Sequence, residues 1–316
     1  MANVVQIGVK KPLLLDKLAQ PPTKGRENLL KRARSKWFTY HIVKNLQLIE
    51  SPLQKYYKHC ENCCQVITQR GDKFTSMYCN TRPCNICNRI RTGKLINGYL
   101  RQIDNFSHVD LVTLTIPNCR GSELRGVLEL LIKQMGNIIR VLGERRGIRV
   151  NGIRKIETTY NHNHDTYHPH LHLLVDKAST EIVDEWLKRF PTANRKAQDI
   201  TEADQSSLKE MFKYTTKIAV GKRYDKLSKS HKVEVYTHAL DTIFRAMHGK
   251  RAFQPFGNVK KVSEEVNEEL TAQLYDDMPQ YDFVEWIWDD CDWKSPVLKQ
   301  TLTGYVPPEV EFTAYL

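Results

Sequence analysis

The 316-residue chain has no apolar run approaching the roughly 20 residues that a membrane-spanning helix needs. Its first residues, Met1 to Lys11, hold no hydrophobic stretch long enough for a secretory signal. The expectation is therefore a cytoplasmic protein without a membrane partner. Internal repeats and low-complexity tracts are absent. Cysteine is scarce outside one window: six of the eight fall between Cys60 and Cys87, leaving only Cys119 and Cys291 elsewhere. In a reducing compartment that clustering points to a metal before disulfides. Basic residues vanish from one stretch, since Val262 to Trp293 holds eleven acidic residues and no Lys or Arg.

That last absence sharpens the charge balance. The formal net charge is +12, but the segment after Lys261 carries −11, which leaves +23 on residues 1–261. A surplus of that size favours a polyanionic partner, because Lys and Arg neutralise phosphates and release their counterions. The acidic end reads as a solubilising tail or as a competitor of DNA for the basic surface. With 41% hydrophobic and 27% charged residues, the chain has the composition of a globular protein.

Periodicity places helices over residues 27–44, 91–103, 123–142, 180–189 and 206–220. It places strands over 110–116 and 169–175, with 149–160 pairing to the latter as a β-hairpin across a polar turn at 161–167, and a short strand or loop near Asp199. Strands and helices in this order predict an α+β domain, an antiparallel sheet with helices packed on it.

Three motifs carry chemistry. In His168-Pro169-His170-Leu171-His172-Leu173-Leu174-Val175, alternation along a strand puts His170 and His172 on one face and Leu171, Leu173 and Val175 in the core. Two imidazoles one pleat apart can grip one metal ion. A hairpin centred near residue 164 or 165 would set Glu157 about opposite His172 as a third ligand, although a slip of one residue would turn it away. In Glu210-Met211-Phe212-Lys213-Tyr214-Thr215-Thr216-Lys217, helical geometry gathers Glu210, Tyr214 and Lys217 within an arc of roughly 60°. The third motif is Cys60-x-x-Cys63-Cys64 followed by Cys79-x4-Cys84-x-x-Cys87, two knuckles with the spacing of a tetrahedral structural zinc site. Cys60, Cys63, Cys84 and Cys87 are the simplest ligand set. Cys79 could replace one of them, and Cys64 is spare.

Taken together, the strand LVTLTIPN (111–118), the segment KIETTYN (155–161), HPHLHLLV and EMFKYTTK resemble the successive motifs of plasmid rolling-circle replication initiators, the Rep_1 type of HUH endonuclease. The Cys79-x4-Cys84-x2-Cys87 spacing and the stretch from His248 to Phe253 fit the same group, so the resemblance spans about residues 55–260. It implies an antiparallel-sheet HUH endonuclease domain preceded by a small cysteine-rich zinc module. The divisions are a basic N-terminal segment (1–55), the zinc module (56–91), the nickase domain (92–261) and an acidic appendage (262–316). By position, the resemblance assigns metal binding to His170 and His172, the nucleophile to Tyr214, an auxiliary lysine to Lys217 and an acidic partner to Glu210. It implies a tyrosine endonuclease that nicks single-stranded origin DNA, forms a 5′-phosphotyrosine and frees a 3′-OH primer, using Mn²⁺ or Mg²⁺ beside structural Zn²⁺. Its partners would be single-stranded and duplex origin DNA, a host helicase and the replication machinery, with Lys213, Arg154 and Arg251 as candidate DNA contacts.

Rival readings explain less. Histidine-triad nucleotide hydrolases share the alternating histidines but leave the basic body, the cysteines and the Tyr214 helix without a purpose. A non-catalytic zinc-containing DNA-binding protein accounts for charge and cysteines alone. An HUH transposase or relaxase differs from an initiator only through the family likeness.

Overall fold

The computed structural model describes residues 23–70, 73–204, 207, 211–212, 219–266 and 284–307. It is a mixed α+β structure with two sheets. Among the described residues no helix is long and apolar enough to cross a membrane.

The chain enters through a long helix, α1 (Thr23–Leu48), and a short one, α2 (Gln54–Glu61), which pack on each other. A hairpin, β1 (Val66–Arg70) and β2 (Lys73–Ser76), leads through the second group of cysteines into α3 (Asn85–Ile103). The first sheet is not completed locally. Its order is β10-β9-β1-β2, with β9 (Val284–Asp289) and β10 (Asp292–Lys294) arriving from the far end of the chain. All three pairings are antiparallel. The segment set apart in sequence as an appendage thus supplies half the strands around the cysteines. The reason lies in its aromatics: Val284, Trp286 and Trp288 alternate inward, and Trp286 and Trp293 are fully buried. Their indole N–H groups donate to Gln69 Oε1 (3.0 Å) and the Cys64 carbonyl (2.9 Å), so neither nitrogen is left unpaired in the core.

The second sheet has the order β6-β3-β5-β4-β7, with β8 also pairing to β4. Here β3 is Asp110–Thr115, β4 Gly152–Asn161, β5 Thr166–Val175, β6 Asp199–Glu202, β7 Ala219–Val220 and β8 Phe253–Phe256. All pairings are antiparallel except β4 with β7. Helix α4 (Leu124–Arg146) packs on β5 through Leu124, Leu128, Leu131, Met135, Ile138 and Leu142, which recur every three or four residues and are buried. Gly147 ends it in the left-handed region at φ 70°, where a side chain would be strained. Helix α5 (Ser179–Arg189) is pinned to β3 by Trp186 Nε1 donating to the Thr115 carbonyl at 3.0 Å. A short α6 (Lys222–Asp225) and the longer α7 (Lys229–Met247), N-capped by Ser228, complete the helices.

Two expectations need correction. The helix read as far as Val220 stops short of it: Ala219 and Val220 form β7, hydrogen-bonded beside Tyr160 and Asn161, so sheet pairing overrides local helical spacing. The hairpin register also differs. Glu157 stands opposite His170, and Lys155 opposite His172, because the turn centres between residues 163 and 164. Asn161 Oδ1 accepts from Asn163 N–H at 3.0 Å, and Asp165 adopts φ 51°, which closes a loop one residue tighter on each side than the sequence suggests. The resulting shift of two residues keeps every side chain on its expected face, since the strand period is two.

Candidate functional site

On β5, Tyr167, Pro169, Leu171 and Leu173 are buried, while His168, His170 and His172 line the opposite, half-buried face. The neighbouring strands add Thr113 and Thr115 from β3 and Lys155 and Glu157 from β4 to that face. Three groups converge there. Glu157 Oε2 lies 3.5 Å from His172 Nε2 and 4.0 Å from His170 Nε2, and the three residues offer ligand atoms all within 4.8 Å of one another.

Each imidazole is held by its other nitrogen. His170 Nδ1 donates to the His168 carbonyl at 3.1 Å, and His172 Nδ1 meets Thr113 Oγ1 at 3.1 Å. The His170 contact fixes a tautomer with a lone pair on Nε2, the arrangement found in ligating histidines. Burial, and then the neighbouring His172, push the His170 pKa down to about 4, so the ring stays neutral at physiological pH. Burial would raise the Glu157 carboxyl, but the hydrogen bond from His172 and the charge of Lys155 prevail and hold it at about 2. An ionised carboxylate facing neutral imidazole nitrogens fits a divalent cation.

Helix α3 and Phe212 close over this sheet. Phe253, the β8 partner of Lys155, has its ring 5.4 Å from that of Phe212, which in turn stacks on Tyr99 at 5.8 Å. Met211 and Phe212 are buried, and Thr92 Oγ1 donates to the Phe212 carbonyl at 3.1 Å. Glu210, Lys213, Tyr214 and Lys217 lie outside the described residues. Of the other candidate DNA contacts, Arg251 is exposed. Arg154 is not: it is only 5% exposed, on the face that carries Leu171 and Leu173, with Nη1 unpartnered. Odd–even alternation along β4 turns it away from the histidines. Sequence reasoning passed over Lys155 and Thr113, although both stand on the rung of His172 and the same alternation would have found them.

The second site is the cysteine cluster. Cys63, Cys79, Cys84 and Cys87 bring their sulfurs within 4.8 Å of one another. Cys60 belongs to a different contact, 2.7 Å from Thr81 Oγ1, so the simplest ligand set exchanges Cys60 for Cys79. The β1–β2 hairpin is the cause, for Cys64 N–H donates to the Met77 carbonyl and Cys79 N–H to Cys63 Sγ, drawing the two knuckles together. Cys84 caps α3 and accepts from Cys87 N–H, placing two thiols at a helix N-terminus that favours thiolates. Lys36, fully buried on α1, donates to the Glu61 and Cys63 carbonyls at 2.6 and 2.7 Å, fixing the first knuckle to the helix.

Comparison with known proteins adds a family match. Residues 72–180 match the family model described as Rep_1, replication protein. A "Protein rep" of Staphylococcus aureus is 30% identical over 163 residues, covering 44% of this chain and 69% of the relative. A "Protein rep" of Streptococcus pneumoniae serotype 2 is 25% identical over 109 residues, covering 32% of this chain and 33% of the relative. No solved structure matches the chain.

Proposed function

Since this chain belongs to the Rep_1 family of replication proteins, the plasmid Rep initiators, we propose that it starts rolling-circle replication by nicking single-stranded origin DNA with Tyr214. Glu157, His170 and His172 would hold a divalent ion, Mn²⁺ or Mg²⁺. The observation that carries the reading is the convergence of these three residues on the sheet face over which Phe212, two residues before Tyr214, is anchored.

A free phenol has a pKa near 10 and is a weak nucleophile at neutral pH. The bound ion supplies polarisation of the scissile phosphate. Tyr214 attacks phosphorus in line, the bond to the 3′ oxygen breaks, and that oxygen takes up a proton as the primer hydroxyl. The 5′ end stays on the tyrosine as a phosphodiester. Lys217 offsets charge on the phosphate or the phenolate. Glu210 serves as general base for the water, or second DNA end, that releases the adduct. The zinc module would brace the fold or seat duplex origin DNA. Support for the chemistry comes from the tautomer fixed on His170 and from the low Glu157 pKa, both of which keep ligand atoms unprotonated.

The test is a set of labelled single-stranded oligonucleotides tiling the replicon that encodes the chain, incubated with the protein and Mn²⁺. A protein–DNA adduct that survives SDS is expected. Tyr214→Phe should abolish both adduct and nicking while leaving DNA binding nearly intact, whereas Glu210→Ala should still nick but fail to release the DNA. An unchanged cleavage rate in the Tyr214→Phe variant would end the mechanism.

A further inference from the structure

The histidine face holds a fourth charged group. Lys155 Nζ lies 2.8 Å from Glu157 Oε2, and the two side chains are only 8% and 14% exposed. Lys155 shares one rung of the sheet with Thr113, His172 and Phe253, so the ammonium is boxed in by neighbouring strands on both sides. A buried ammonium is tolerated where a counter-charge meets it, and Glu157 meets this one.

The oxygen concerned decides the consequence. Oε2, which Lys155 contacts, is also the oxygen that faces His170 Nε2 and His172 Nε2. Glu157 Oε2 and the His170 Nε2 lone pair are both acceptors aimed at a common space, and such a pair attracts a cation. In the protein without its ion, the nearby ammonium supplies that positive charge. A divalent ion seated on the three ligands would take the same oxygen and stand close to the ammonium, and like charges at this spacing in a buried site repel strongly.

We propose that Lys155 is a resident counter-cation of this centre, a positioning residue that competes with the divalent ion for Glu157. Once the ion binds, the displaced ammonium needs an anion, and the phosphodiester of single-stranded DNA provides one between the two cations. The identity of that anion rests on the nickase reading; the competition rests on the geometry of Glu157 alone. Ion and DNA phosphate then strengthen each other's binding, and linkage requires the effect to be reciprocal. The free protein holds its ion weakly and acquires it fully only with DNA in place. Cleavage chemistry is thereby withheld until substrate arrives.

The experiment is a Mn²⁺ titration of the full chain followed by electron paramagnetic resonance, with and without a single-stranded oligonucleotide. In the native protein the oligonucleotide should tighten Mn²⁺ binding by about tenfold, a modest coupling. Lys155→Met should bind Mn²⁺ about tenfold more tightly without DNA, lose most of the DNA-linked gain, and show a larger rise in melting temperature on adding Mn²⁺. Lys155→Gln should behave alike, and Lys155→Arg should stay near native. Neutral variants that bind Mn²⁺ no more tightly than native would overturn the proposal. So would a native protein whose Mn²⁺ affinity ignores DNA, a measurement that needs no variant to fold. The two readings fail separately: a chain with the expected Lys155 effect on Mn²⁺ but no SDS-stable adduct loses the nickase, and a chain that nicks without the Lys155 effect loses the counter-cation.

Discussion

Replacing Cys79 and Cys60 in turn separates two ligand sets that chain spacing alone leaves open. A tetrahedron with Zn–S bonds of about 2.3 Å has sulfur–sulfur edges of about 3.8 Å. The Cys63–Cys87 and Cys79–Cys87 sulfurs stand 3.6 and 3.7 Å apart, close to that edge without an ion to draw them in. Cys60 instead contacts Thr81, which also reaches Cys79 at 3.2 Å, so it supports the cluster from outside. Structural zinc in small fingers contributes an apparent ~10–16 kcal/mol. Shared over four thiolates, each ligand is worth about 3 kcal/mol, or roughly two decades in affinity. Cys79→Ser should therefore release zinc at chelator concentrations at least about a hundredfold below those the native protein withstands, followed by a colorimetric zinc indicator. Cys60→Ser should keep one zinc per chain and lose only about 1 kcal/mol of stability, the scale of one hydrogen-bonded contact. Equal zinc loss in both variants, or full retention in Cys79→Ser, would refute the assignment.

Acid should destabilise the metal-free protein in a window set by His170. Its folded pKa of about 4 lies below the ordinary 6.5, so below pH 6.5 the unfolded chain binds a proton that the folded one does not. Stability should fall as pH drops from 6.5 towards 4, by up to about 3 kcal/mol at roughly 1.4 kcal/mol per unit. Glu157 acts lower down: the stability its depressed pKa contributes is complete above 4.5 and fades as pH falls towards about 2. Urea melts of native and His170→Gln protein at pH 7, 6 and 5 check the first window, and an identical slope in the two would contradict it. Arg154→Met should leave DNA affinity and its salt dependence unchanged, since a buried guanidinium on the far face neutralises no phosphate. A reduced salt slope in a binding titration would put Arg154 back among the contacts.

Much of the site was legible because β-strands reduce to parity. Alternation alone puts His170 and His172 together, and it survives a two-residue error in register with Glu157 still on their face. What parity does not reveal is distance along the strand. The loop from His162 to Asp165 is closed by an Asx turn and a left-handed Asp165, and those details fixed whether Glu157 or Lys155 faces His172. The zinc set was misread for a related reason. Counting C-x-x-C pairs measures chain separation, whereas the β1–β2 hairpin folds Cys79 back against Cys63 and leaves Cys60 facing Thr81. Helix α7 was missed, although Ser228 ahead of its first turn is an N-cap signal. The pairing of β7 with β4 had no local signature, because Ala219 and Val220 continue a helical pattern in sequence.

The acidic end illustrates how charge and apolar pattern carry different information. Read by charge, residues 262–293 form a solvated tail, yet VEWIWD alternates as a strand does and the Asp-rich stretch that follows suits a turn. The apolar pattern prevails for the described part: Trp286 and Trp293 are buried while Glu285 and Asp289 stay exposed on the outer face. The near end of the same segment is also fixed. Arg91 Nε and Lys94 Nζ on α3 donate to the Glu264 and Glu265 carbonyls, and Asn80 Nδ2 donates to that of Val266. These contacts use backbone oxygens, so the strap holds by geometry that added salt weakens far less than it weakens surface ion pairs. A segment secured at both ends to the elements bearing Cys79, Cys84 and Cys87 belongs to the cysteine module's framework. Its negative charge is thereby carried on that module, and the basic surplus of residues 1–261 is left to face DNA elsewhere on the molecule.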